Sequence, residues 1–229
     1  MIWALTPIVA GLVGCAMYYS PYAVRLGSVF ALRRRLGKER TLVLSYDDGP
    51  STIVTPALLE LLRESGAKAT FFMLGCSAQR NADVADRVLE EGHDIGCHSD
   101  QHLNAWKTDP WTAVADISAG YEKLTRWLPP NGIYRPPFGK ITLATRWALR
   151  RRGARLGWWT IDSGDTNQTL PSPSRVLEHV QHENGGIVLM HDLDRTNERN
   201  DFVLETTALL LDLAKRESLK IKTLSEVCP

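Results

Sequence analysis

From Thr41 onward, short runs rich in β-branched, aromatic and aliphatic residues alternate with stretches of helical period, and this alternation limits the possible folds more than any other feature. Strands are expected at 41–46, 68–74, 93–97, 132–135, 155–161, 186–190 and 219–223. Helices are expected near 54–65, 79–91, 110–128, 142–152, 173–182 and 202–216. Thr55-Pro56 and Asp109-Pro110 each read as a cap followed by a first-turn proline, while Gly66 and Gly153 read as C-terminal stops. The pattern implies an α/β fold with largely parallel strands, in a barrel or a wound sheet. With 229 residues, 44% of them hydrophobic, one sizeable core can be buried. No repeat or low-complexity linker divides residues 41–229, which are expected to form one domain.

Residues 1–40 lie outside the alternation. The run MIWALTPIVAGLVGCAMYY precedes the first charged side chain, Arg25, and is apolar enough for a membrane-spanning helix. It lacks the basic start and small-residue cleavage site of a signal peptide, so an uncleaved anchor over residues 1–24 is expected. Pro7 and the glycines leave an amphipathic or buried helix as the alternative. Arg25, Arg33, Arg34, Arg35, Lys38 and Arg40 then read as a basic linker to residue 40. By charge bias that side stays in the cytoplasm, where it could also meet anionic head groups.

Lys plus Arg (27) nearly balances Asp plus Glu (26), so no global field recommends nucleic acid, and nothing indicates an obligate protein partner. Cys15, Cys76, Cys97 and Cys228 are scattered without a C-x-x-C pair, which indicates free thiols rather than a zinc ribbon or a disulfide framework.

Chemistry concentrates just after the strands: Asp47-Asp48 in SYDDGP, His98, Arg135, Asp162 and Asp165, and His191-Asp192. In a parallel α/β fold those ends open on one face, where active sites are assembled. Asp47 and Asp48 are neighbours on an extended chain, so their side chains point apart and need not share a task. His98 and His102 in GCHSDQH have the spacing that puts two imidazoles on one side of a helical turn. Two neutral imidazoles and one carboxylate leave a position open for water, the arrangement of a hydrolytic zinc site.

The ordered set SYDDGP, HSDQH, RPPFG, DSGD and LMHD resembles the five motifs of the polysaccharide deacetylases, carbohydrate esterase family four, which share the NodB homology domain. The resemblance implies a distorted (β/α) barrel of about seven parallel strands, here preceded by the N-terminal apolar helix. It implies metal-dependent removal of acetyl groups from N-acetylglucosamine-containing glycans such as peptidoglycan or chitin oligomers. It further implies a divalent metal, Zn2+ foremost with Co2+ or another ion as alternatives, held by Asp48, His98 and His102. Asp47 corresponds to the general base acting on metal-bound water, Arg135 to the arginine that orients it, and His191 to the general acid. Asp165 is the positional match for the carboxylate beside His191, with Asp162 the alternative. The Phe138 amide, following Pro136 and Pro137, corresponds to the oxyanion donor, and Leu189 to the leucine of the acetyl-methyl pocket.

Two departures stand out. Thr166 occupies the position where the family commonly has tryptophan, and Tyr46 replaces a frequent phenylalanine, bringing a hydroxyl that needs a partner if buried. Three alternatives remain: a deacetylase or deformylase of a lipid-linked sugar at the cytoplasmic membrane face, an O-acetyl xylan esterase, and a membrane-tethered glycan-binding pseudoenzyme. The family expectation places the enzyme on the extracytoplasmic face, against the charge bias of residues 25–40.

Overall fold

The computed structural model describes the backbone of residues 5–228, with side-chain burial from Ala10 onward. The segment expected as anchor and linker is one helix, α1 (Leu5–Glu39). Among the described residues no helix is long and apolar enough to cross a membrane. The first four residues of the expected 1–24 span lie outside the described residues. The basic linker is corrected to helix, and its last turns belong to the folded domain. Leu36 is fully buried with Val43, Phe72, Ile187 and Leu224. Arg33 donates to the Thr160 carbonyl at 2.8 Å.

After α1 the chain runs through β1 (Thr41–Asp47), α2 (Val54–Ser65), β2 (Thr70–Met73), α3 (Gly75–Arg80), α4 (Ala82–Glu90) and β3 (Asp94–Cys97). It continues through α5 (Pro110–Lys123), α6 (Leu143–Arg152), β4 (Ile161–Asp162), α7 (Pro173–Glu183) and β5 (Gly186–His191). It ends with α8 (Asn197–Glu217), β6 (Lys220–Ile221) and α9 (Leu224–Val227). The strands are parallel, in the order β3-β2-β1-β5-β4, with β6 beside the start of β1.

Every residue of the central strand β1 is buried, as expected for a parallel strand covered on both faces. Its two sides differ. Leu42, Leu44 and Tyr46 enter the main core with residues of α2 and α8, while Val43 joins the smaller cluster capped by Leu36. Ser45 and Asp47 alternate onto the Val43 side, so that face turns polar toward the C-terminal end of the strand. The buried Tyr46 hydroxyl finds its partner in Thr207 Oγ1 at 3.0 Å.

The barrel of about seven strands is corrected in one region. The expected strands 132–135 and 155–161 shrink to single bridges, Cys97 with Tyr134 and Tyr134 with Leu156, plus the two-residue β4. Pro136 and Pro137 lack the N–H groups that would continue the ladder. Among the described residues the pairings make a six-stranded sheet extended by those bridges rather than a closed ring.

The caps and stops read from the sequence hold with one exception, although α5 ends at Lys123 rather than 128, α8 begins at Asn197 rather than 202, and the helix expected at 79–91 divides into α3 and α4. Asp109 accepts from the amides of Trp111 and Thr112, and Gly66 and Gly153 close their helices with φ of 66° and 73°. Thr55, however, is not the cap of α2. The helix starts at Val54, and the Asp194 carboxylate, from the loop after β5, accepts from the amides of Ile53 and Val54 at 3.2 and 3.0 Å.

Candidate active site

The polar end of β1 delivers two carboxylates in different directions. Asp47 ends the strand in extended backbone and is 3% exposed. Asp48 leaves it with a φ of 75°, a left-handed geometry that turns its carboxylate toward the loop after β3. There its Oδ1 lies 3.4 Å from His98 Nε2 and 3.2 Å from His102 Nε2.

The two histidines are not on a helical turn, which corrects the spacing argument. They sit in a loop that reverses through left-handed Ser99 and His102, with φ of 70° and 58°. Ser99 Oγ accepts from the His102 amide at 3.2 Å. Asp116 of α5 clamps the intervening chain, accepting from the amides of Gln101 and Leu103 at 2.8 and 3.4 Å. Nothing in the local pattern around 98–102 announces this clamp, because its acceptor lies on the next helix.

The donor set fits a divalent cation. Ligand atoms of Asp48, His98 and His102 all lie within 4.8 Å of one another. Asp48 Oδ1 is buried without a hydrogen-bond partner among the described residues, a costly state unless a cation completes it. Burial lowers the His98 pKa to about 3, against the opposing pull of Asp48, so its imidazole is neutral, as a ligand must be. The Arg135 carbonyl lies 2.7 Å from His98 Nδ1, accepting its proton and leaving Nε2 as the ligand atom.

Arg135 also fixes the other carboxylate. Its guanidinium is fully buried and lies 4.1 Å from the Phe72 ring. It donates to Asp47 Oδ1 at 2.7 Å, to Ser45 Oγ at 3.0 Å and to the Gly157 carbonyl at 3.1 Å. Asp47 Oδ2 points the other way, 3.7 Å from His98 Nε2. Burial raises the Asp47 pKa above the usual carboxylate range, and the charge of Arg135 limits the rise.

His191 ends β5 in register with Asp47. Its Nδ1 is 2.9 Å from Asp165 Oδ1, and its own amide donates to Asp165 Oδ2 at 2.9 Å. Burial opposes a charge on His191, but the Asp165 bond and the charges of Asp165, Asp47 and Asp48 outweigh it and push the pKa up to about 9. Arg195 donates to Asp165 Oδ2 at 2.7 Å, and Arg199 holds the Asp165 carbonyl. Burial would raise the Asp165 pKa, yet bonding to His191 and the nearby cations bring it below its ordinary value. Asp162, the alternative partner, is exposed and accepts from the Gly164 amide at 2.9 Å.

Phe138 lies in a tight turn, Pro137–Gly139, with a φ of 56° and its ring 4.4 Å from that of His102. The turn's bonds run from Gly139 to Pro136 and from Lys140 to Pro137, which leaves the Phe138 N–H outside them. Pro137 and Leu189 are buried, Leu189 on the face of β5 that carries His191. Thr166 is exposed, while Trp158 is buried in the core.

One acid carried no role in the sequence reading. Asp192 is 1% exposed and accepts from the Gly49 amide at 3.0 Å and from Thr55 Oγ1 at 2.6 Å. A side chain at position 49 would collide with that carboxylate, which explains glycine after the paired aspartates. Burial, reinforced by Asp48 and Asp47 against the Thr55 bond, pushes the Asp192 pKa up to about 7. The HD of LMHD was the available signal; the missing information was the distant turn it holds.

Comparison with known proteins gives the family and the fold. The family model described as polysaccharide deacetylase matches residues 34–157, beginning inside the last turns of α1. A peptidoglycan-N-acetylglucosamine deacetylase of Bacillus cereus is 32% identical over 82% of this chain and 88% of its own length. A peptidoglycan-N-acetylglucosamine deacetylase of Listeria monocytogenes is 28% identical over 91% of this chain, which spans 42% of that longer protein. The crystal structure of a peptidoglycan N-acetylglucosamine deacetylase bound to a hydroxamate-type benzamide superposes with a TM-score of 0.74 at 26% identity, covering 83% of this chain and 88% of the other. The fold is shared with a catalytically inactive relative too, a pseudoenzyme of Bacillus anthracis, at a TM-score of 0.68 and 21% identity over 82% of this chain and 65% of that one. Match and fold together establish that this chain belongs to the polysaccharide deacetylase family.

Proposed function

We propose that this chain is a metal-dependent hydrolase that removes acetyl groups from N-acetylated, N-acetylglucosamine-containing glycan. The observation that carries the reading is the division between the adjacent aspartates. Asp48 Oδ1 has no hydrogen-bond partner among the described residues and faces two imidazole nitrogens, whereas Asp47 Oδ1 is tied to a buried arginine.

In this reading Asp48, His98 and His102 hold a divalent ion, which supplies Lewis acidity, polarising an acyl carbonyl and acidifying water. Asp47 takes the proton of the attacking water at Oδ2, because Arg135 occupies Oδ1. A carboxylate with a raised pKa is the better proton acceptor. The Phe138 N–H is the fixed donor for the developing oxyanion, held by a turn whose prolines offer no competing amide. His191 gives its Nε2 proton to the departing amine, since Asp165 holds Nδ1. Acetate and a free amino sugar leave. Leu189 supplies apolar contact for the acetyl methyl group.

The test is acetate release from chitooligosaccharide, peptidoglycan and acetylxylan after reconstitution with divalent metal. Release from the first two supports the reading. Release from acetylxylan alone would move the activity to O-acetyl esters, and metal binding with no acetate from any glycan would favour a binding module.

A separable reading concerns location: attachment of α1 to a membrane. What favours it is the exposure of Leu12, Val13, Met17, Leu26 and Phe30 on that helix. A C-terminal topology reporter distinguishes the cytoplasmic from the extracytoplasmic face.

A further inference from the structure

Helix α1 and the segment 154–158 enclose a cleft of about 520 Å³ that contains none of the strand-end acids or histidines. Its charged lining is Arg25, Arg35, Arg146 and Arg155, and no carboxylate lines it among the described residues. These arginines come from three separate stretches of chain, so the concentration of charge is a product of the fold.

Their hydrogen bonding is incomplete. Arg35 and Arg155 donate to the carbonyls of Val227 and Cys228, acceptors that carry no net charge. The Nε atoms of Arg25 and Arg35 are buried and have no partner among the described residues. Arg25 lies 5.0 Å from the Trp158 ring and 4.5 Å from the Trp159 ring, a surface that favours a cation but offers its Nε no acceptor. Burial lowers the pKa of both Arg25 and Arg146, which marks the cost of holding these charges out of water. Arginines gathered along one cleft repel one another more than they attract any carboxylate in its lining, and an anion with several oxygens would supply acceptors for the unmet donors.

Apart from Ser28, the rest of the wall is largely apolar. Val24 and Leu32 of α1 face the cleft, and Leu26 and Phe30 of the same helix are exposed at 59% and 70%. A small hydrated anion would leave this surface unused. We propose that the cleft binds a phosphate group carried on an apolar chain, the phosphate among the arginines and the chain along α1. The assignment does not depend on deacetylase activity, since none of the residues in the proposed reaction lines the cleft.

The test is calorimetric titration of the full chain with hexyl phosphate, inorganic phosphate and hexanol. Saturable binding of hexyl phosphate, at least about ten-fold tighter than inorganic phosphate and absent for hexanol, is expected. Arg25→Ala with Arg146→Ala should weaken it at least about ten-fold. Where the double variant fails to fold, Arg146→Gln removes one charge while keeping much of the side chain's length. Equal affinity for inorganic phosphate would overturn the apolar half of the assignment. Equal affinity for hexanol, or wild-type binding by either folded variant, would overturn the site itself.

Discussion

Asp47 and His191 are register partners on the neighbouring parallel strands β1 and β5, so the two groups proposed as base and acid leave the sheet side by side. Each is held by its own buried counter-charge. Arg135 holds Asp47 at 2.7 Å, and Asp165 holds His191 at 2.9 Å. One pair is biased toward accepting a proton and the other toward keeping one, which is the separation a two-step proton relay requires.

Removing one member of the first pair strands the other. Arg135→Ala leaves the Asp47 carboxylate buried without its cation, and a loss of about 3–5 kcal/mol in unfolding free energy is expected. Denaturant titration checks it. A loss near zero would mean that Asp47 is solvated more than its 3% exposure implies.

The second pair sets a pH limit. With its pKa raised to about 9, His191 keeps its proton through neutral pH and loses it as pH rises through that value. The stability contributed by the His191–Asp165 interaction follows the same course, present below the ordinary 6.5 and lost toward about 9. Asp165→Asn should therefore shift the alkaline limb of the acetate-release profile downward, toward 6.5. An unmoved limb would detach His191 from the rate.

Acid stability should depend on a histidine outside the site. His93 Nδ1 accepts from the Ala69 amide, and burial, aided by Lys68, lowers its pKa to about 4. The unfolded chain binds this proton more readily, so the contribution of His93 is present above 6.5 and is lost as pH falls toward about 4. His93→Gln can still accept the amide without charging, and its melting temperature should fall less across that window than that of the wild type.

Asp192 offers a contrast between shape and charge. Its pKa of about 7 means that folding favours the protonated form, so its contribution is greatest below 3.8 and declines as pH rises through about 7. Asp192→Asn, which keeps an acceptor for the Gly49 amide, should stay within about 1 kcal/mol of wild type at pH 8, while Asp192→Ala should cost about 1–3 kcal/mol. Equal losses in both would show that the carboxylate charge, not the acceptor, holds the turn.

These dependencies mark how far the sequence could be read. The span of α2 and the stops at Gly66 and Gly153 were legible because helical period and glycine stops are local. The motif order located Asp47, Asp48, His98, His102, Arg135, Asp165 and His191, and the fold brings these to the strand ends. The clamps were not legible: Asp116 on the histidine loop, Asp192 on the Gly49 turn and Asp194 at the start of α2 act across distant parts of the chain, where no local pattern records them. Nor was the docking of α1. Leu36, set among arginines, reads as linker until β1 supplies Val43 and β5 supplies Ile187 to cover it.

The central claim is that neighbouring aspartates divide metal holding from proton transfer. It is tested most directly by measuring zinc stoichiometry and acetate release together in Asp47→Asn and Asp48→Ala. The account predicts that Asp47→Asn retains metal while losing nearly all acetate release, and that Asp48→Ala loses the metal itself. Full metal occupancy and a normal rate in both variants would contradict it.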